Sequence, residues 1–213
     1  VCSSDLNPTQ SRTISVSGIG STTVHPDTAS LSLGVHAEAD TATAALEQVN
    51  AAATRLIDAI KAAGVADDDI TTTGLYVYPS YGMDGRITSH QASNTVTVTV
   101  RDIDATGPVI DAAAAAAGED VTIGGVSFYV DDTEKVLGAA RAAAVANAKE
   151  HARQYADAAG VKVGKVMWIT ESSVSWPTDI RYGDKGSEGT PTPVQTGTQR
   201  LTVSVGVIFQ IAD

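Results

Sequence analysis

The chain alternates apolar and polar residues over two early stretches. Ile14 and Val16 share one face of Thr13 to Val16, and Ala29, Leu31, Leu33, Val35 and Ala37 share one face of Ala29 to Ala37. A period of two marks half-buried strands. Gly18, Gly20, Pro26 and Asp27 lie between them and predict a turn, where glycine takes positive φ and a carboxylate accepts backbone N–H groups. The two strands are therefore expected to pair as a hairpin, and alanine at Gly18, Gly20 or Asp27 is expected to cost stability. The period then lengthens: Leu46, Val49, Ala53, Leu56 and Ile60 recur at helical spacing, with Asp40 as the expected cap and Gly64 as the stop. Ile70 to Tyr78 and Asn94 to Arg101 are rich in Thr, Val and Tyr and are separated by Pro79, Gly82 and Gly85, which predicts a second, longer hairpin.

The alanine run Ala112 to Ala117 follows Pro108 and stops at Gly118, as a short helix would. Val121 to Val130 reads as a strand that Gly124 and Gly125 interrupt with a bulge. Asp131 and Glu134 have the spacing of a capping box for a long helix ending at Gly160. Its stripe Ala140, Ala144, Ala148, Ala152 suits close packing, with Arg141, Lys149, Glu150 and Arg153 expected in water. Lys165 to Glu171 and Gln199 to Ile211 are the last strands; the latter places Leu201, Val203, Val205, Val207, Phe209 and Ile211 on one face. The order β-β-α-β-β-α-β-α-β-β lacks the regular alternation of a doubly wound sheet, so the fold class is α+β: mainly antiparallel sheets from hairpins, two long helices and one short alanine-rich helix. Residues 173–197, rich in Ser, Thr, Gly and Pro, are expected to form a flexible loop or a contact surface.

Composition narrows the function. The 213 residues are 43% hydrophobic, enough for a packed domain, with one connected core the simplest expectation for 12–213. A net charge of −11 repels nucleic acid phosphate and anionic lipid. The longest apolar stretch, Val109 to Ala117, is too short for a transmembrane helix. Cys2, the single cysteine, excludes an intrachain disulfide. Residues 1–11 admit two readings. Cys2 carries the lipid of an anchored lipoprotein ahead of a polar tether, or Val1 to Leu6 is the translation of a sequencing adapter.

Reaction chemistry has no sequence signature here. His25, His36, His90 and His151 lack metal-ligand spacing, Gly18 to Ser21 lacks the lysine and helix of a phosphate loop, and no Gly-x-Ser-x-Gly elbow occurs. Asp67 to Asp69 reads as a solvated turn rather than a calcium loop. No catalytic residue, cofactor or metal is assigned. Tyr76, Tyr78 and Trp176 are the candidate interaction residues, because aromatic anchors favour interfaces; Trp168 suits core packing equally well.

Ile14-Ser15-Val16-Ser17-Gly18-x-Gly20, Pro26-Asp27-x-Ala29, Asp69-Ile70-x-Thr72, Pro79-x-Tyr81, Asn94, and the helix carrying Arg141, Ala148, Ala152 and Ala156 before Gly160-x-x-x-Gly164 together resemble the SIMPL-domain family. The resemblance covers nearly the whole chain from Thr13. It implies an exported α+β protein of the bacterial envelope that self-associates and is linked to oxidative-stress tolerance, with no catalytic residues to carry over. The expected function is thus a non-enzymatic periplasmic or extracytoplasmic protein that forms a homo-oligomer and binds an envelope protein partner. The alternative is a small-ligand or glycan-binding module around Tyr76, Tyr78 and Trp176. A hydrolase on Asp27 and His25 would need an acid, a base and a cleft brought together by the fold.

Overall fold

A computed structural model of the protein describes residues 12–175 and 192–212. The chain is α+β throughout, with seven strands and three α-helices among these residues. The strands are β1 (Thr13–Val24), β2 (Thr28–Ala39), β3 (Ile70–Tyr81), β4 (Ile87–Val100), β5 (Val121–Tyr129), β6 (Lys162–Ser175) and β7 (Gln199–Ala212). The helices are α1 (Ala42–Ala62), α2 (Thr106–Ala117) and α3 (Thr133–Ala159). They form two compact units rather than the single core expected from length.

One unit is an antiparallel sheet in the order β3-β4-β2-β5 with α1 and α2 on one face. Ala29, Leu31, Leu33 and Val35 of β2 and Val96, Val98 and Val100 of β4 pack against Val49, Leu56 and Ile60 of α1 and Val109 and Ala113 of α2. The expected β3–β4 hairpin forms, with Tyr76 opposite Ser93 and Tyr78 opposite Gln91. The bulge expected at Gly124-Gly125 also forms: Ser32 faces Gly125 and Leu33 faces Ile123, so Gly124 is the extra residue. Thr41, not Asp40, caps α1, its hydroxyl accepting from Ala44 N–H at 3.2 Å; the helix starts one residue later than the acidic residue implied.

The other unit is an antiparallel sheet in the order β1-β7-β6, covered by α3. The first expected hairpin does not form. β1 pairs with β7, while β2 pairs with β4 and β5 in the other sheet. Alternation reveals which face of a strand is buried, not which strand lies beside it. Gly18 and Gly20, read as turn residues, lie inside β1, opposite Val205 and Val203, and neither has a positive φ. Their role is close approach. A Cβ on Gly18 would sit 2.1 Å from Ala144 O, and one on Gly20 would sit 2.1 Å from Ala140 O. The backbone of α3 therefore rides directly on β1, and Ala140, Ala144, Ala148, Ala152 and Ala156, all buried, supply the matching small side chains.

The same helix closes the free edge of β1. Asn147 Oδ1 accepts from Ile19 N–H at 2.9 Å, and His151 Nδ1 donates to the Ser17 carbonyl at 2.9 Å. Asn147 Nδ2 lies 3.5 Å from His151 Nε2. Outward backbone groups of an edge strand are a template for pairing, and this i, i+4 pair occupies two of them. Asp132, not Asp131, caps α3, accepting from Lys135 N–H. Glu134 instead joins Arg141, which also holds Glu171 of β6, at 2.7 and 2.8 Å.

That ion cluster predicts a pH dependence. The hydrogen bond from Arg141, and then its charge, hold Glu134 below the ordinary glutamate value of 4.5. A depressed carboxyl stabilises the fold above its unfolded value, and the contribution is lost as pH falls through the folded one. Below about pH 4.5, Arg141→Gln should therefore flatten the acid limb of the melting temperature against pH. Parallel acid limbs in both proteins would contradict this role.

Candidate functional site

The sequence-derived candidates separate in the structure. Pro26 is buried and Asp27 exposed in the β1–β2 connection. Asp27 Oδ1 accepts from the Asp131 backbone N–H and from the Thr28 hydroxyl, both at 2.9 Å, while Asp27 N–H donates to Tyr129 O. The carboxylate thus ties the start of β2 to the residues after β5, a partner far away in sequence. His25 is exposed. Trp176 lies outside the described residues, as do Cys2 and the middle of the 173–197 loop. At the loop's far end, Thr192 donates to Asp111 of α2 through its hydroxyl at 2.6 Å and its N–H at 3.2 Å, and Val194 packs on the core.

Asp67 to Asp69 form a short 3-10 turn, but Asp69 is not a solvated residue. Arg101 grips both its oxygens, through Nε at 2.9 Å and Nη2 at 2.8 Å, and reaches Asp131 at 2.9 Å with Nη1. This bidentate pairing fixes the β3 start against the β4 end. Among the described residues, no three His, Cys, Asp or Glu side chains are grouped to hold a metal ion.

What the structure does assemble is exposed apolar surface on strand edges. Val166, Met167, Trp168 and Ile169 of β6 are 48, 53, 63 and 50% exposed. Trp168 pairs with Ile208 on the side of the sheet away from α3, and Ile169 pairs with Val207 on the helix side. Both faces of this edge strand are therefore apolar. Trp168 is a surface residue; the core-packing option does not hold. The signal for this was present in the sequence, since an unbroken apolar run departs from the alternation of a strand with one buried face.

The β3–β4 hairpin provides a second such region. Leu75 and Val77 are exposed on the face that carries α1, and Tyr76 and Tyr78 are exposed on the opposite face. The two tyrosines share their face with Ser93, Gln91, His36 and Glu38, because the register sets Ser93 opposite His36 and Gln91 opposite Glu38. Gln91 Nε2 donates to Glu38 Oε2 at 3.4 Å, and Ser89 donates to Glu38 Oε1.

The chain is thus a two-unit α+β protein with helices on one side of each sheet and exposed apolar side chains on strands β3 and β6. The chain belongs to the SIMPL family, described as a protein of unknown function (DUF541), whose model matches residues 14–209. It is 34% identical to the 26 kDa periplasmic immunogenic protein of Brucella melitensis, over 95% of this chain and 86% of that protein. It is 25% identical to the uncharacterized protein YggE of Escherichia coli K12, over 93% of this chain and 82% of that one. No helix among the described residues is long and apolar enough to cross a membrane.

Proposed function

We propose that the protein is a non-enzymatic, extracytoplasmic module that associates with copies of itself and, through its remaining apolar surface, with other envelope proteins. The observation that carries this reading is the run Val166 to Ile169 on β6, an edge strand with apolar side chains on both faces. An edge of this kind lowers its free energy by pairing with another chain. An antiparallel second copy centred on this run would set the two apolar stretches against each other. Leu75 and Val77 of the β3–β4 hairpin, exposed on the face that carries α1, serve the second kind of partner.

The extracytoplasmic reading is supported by the Brucella melitensis relative, which is named as periplasmic. Dispersal of the polar side chains into caps, clamps and edge closures supports a role without chemistry. Any contribution to oxidative-stress tolerance is indirect, because Cys2, Met83 and Met167 are the chain's only sulfur side chains and give it little capacity as an oxidant sink. Sedimentation velocity over a concentration series tests the reading. Species heavier than the 21.8 kDa chain should grow with concentration, and a monomer at every concentration would overturn it.

A further inference from the structure

The closure of the β1 edge has a direction. Asn147 and His151 sit one turn apart on α3, both half-buried, and their polar atoms run in one order. The Ile19 N–H donates to Asn147 Oδ1 at 2.9 Å, so the amide turns its Nδ2 toward the imidazole, whose Nε2 lies 3.5 Å away. The Ser17 carbonyl, 2.9 Å from Nδ1, can only accept. These partners fix a neutral ring with its proton on Nδ1 and a bare Nε2 that faces a donor.

A second proton breaks that order. Both ring nitrogens of an imidazolium are donors, so Nε2–H would meet the N–H groups of Asn147. Turning the amide over offers its oxygen to Nε2–H but sets Nδ2 against the Ile19 N–H, two donors that cannot bond. Strength decides between the two partners. A hydrogen bond to a charged group is roughly twice as strong as one between neutral groups, so Oδ1 goes to the imidazolium and Ile19 loses its acceptor. The Ser17 bond survives, because Nδ1 remains a donor.

The charged groups around the ring are few. Of the elements packed on α3, β1 has no ionisable side chain from Thr13 to Val24, and β7 has Arg200, paired with Thr23 near the far end of β1. β6, on the other side of β7, has Lys162, Lys165 and Glu171, the last held by Arg141. On α3 itself Lys149 and Tyr155 are close in sequence, and Glu150 and Arg153 pair with each other at 3.8 Å. Imidazole is the group of this set that changes charge between about pH 5 and 8. We infer that Asn147 and His151 form a pH-operated latch on β1: Asn147 Oδ1 holds the Ile19 N–H beside a neutral imidazole, and turns to His151 and releases it beside an imidazolium. A released N–H on an edge strand is a donor for an incoming strand, and the Ile19 side chain next to it is 61% exposed. The latch lies on the opposite edge of its sheet from β6 and works whether or not β6 pairs.

The test is nuclear magnetic resonance on the nitrogen-labelled full chain, from about pH 8 to about pH 5. At the upper end the His151 ring should carry its proton on Nδ1, whereas a neutral histidine free in water favours Nε2. As His151 titrates, the exchange protection of the Ile19 amide, taken relative to an unstructured amide at the same pH, should fall about fivefold with the same midpoint. Leu33, inside the other sheet, should keep its protection. His151→Gln, which cannot gain a proton, should abolish the response at Ile19, and Asn147→Ala should leave Ile19 poorly protected at every pH. The ring tautomer and the Ile19 titration need no variant and carry the test where His151→Gln does not fold. The inference is overturned if the neutral ring holds its proton on Nε2, if Ile19 protection stays constant while His151 titrates, if the response persists in His151→Gln, or if Ile19 remains protected in Asn147→Ala.

Discussion

Gly18→Ala is expected to lower the melting temperature by about 6–12 °C, from an overpacking cost of roughly 3 kcal/mol and the ~2–4 °C per kcal/mol of a chain this size. The added methyl group has no soft neighbour to displace. It would meet Ala144 O at 2.1 Å and Ala148 N at 2.6 Å, both backbone atoms, so α3 as a whole must lift from β1. Lifting it uncovers the alanine stripe and stretches the Asn147 and His151 hydrogen bonds to the β1 edge. Adding Ala148→Gly should not rescue the variant, because that change removes a side chain and the collision is with main chain. Gly138→Ala is the control. Gly138 lies in α3 with nothing within 4 Å of its would-be Cβ, so the same substitution should stabilise by about 0.5–1 kcal/mol through helix propensity. Thermal melts of the three proteins decide the matter; an unchanged melt for Gly18→Ala would refute the close packing.

Trp168→Glu is expected to weaken self-association by roughly a hundredfold or more, as loss of a central aromatic anchor does. Trp168 is the largest side chain of the exposed β6 run. A carboxylate in its place would have to be desolvated against apolar side chains without a partner. The fold of the monomer should survive, since the indole is 63% exposed and buries little of the core. Tyr155→Glu, equally exposed but on α3, should leave the association unchanged. Light scattering reads the mass of each variant, and an oligomer that persists in Trp168→Glu would remove β6 from the interface.

Much of the fold was legible because faces write themselves into periodicity. Leu201 to Phe209 and Ala29 to Val35 are buried on the faces that their alternation indicated, and α3 stops at Gly160 as expected, in the left-handed conformation. Partners were not legible. Nothing in Ile14 or Val16 says that β1 pairs with a strand almost two hundred residues later, so the neighbouring alternation of β2 suggested a hairpin that does not exist. Gly18 and Gly20 were recognised as backbone residues for the wrong reason: turn chemistry explains a glycine from its own φ, whereas these two answer to a helix that arrives from elsewhere in the chain. For His151, with Asn147 four residues before it, the sequence indicated a structural or surface role, but not the closure of the β1 edge, which has no local signal beyond the i, i+4 spacing. Tyr76 and Tyr78 were picked out by residue type, and only the cross-strand register brought Gln91, Glu38, Ser93 and His36 to their face.

Hydrogen exchange along β6, measured at dilute and at high protein concentration, tests the interface most directly, because exchange reports backbone pairing residue by residue. On this account the outward-facing amides between Val166 and Ile169 exchange more slowly as concentration rises, while the amides of α1, in the other unit, do not change. Concentration-independent exchange along β6, in a protein that nonetheless sediments as an oligomer, would contradict it and move the contact to another surface.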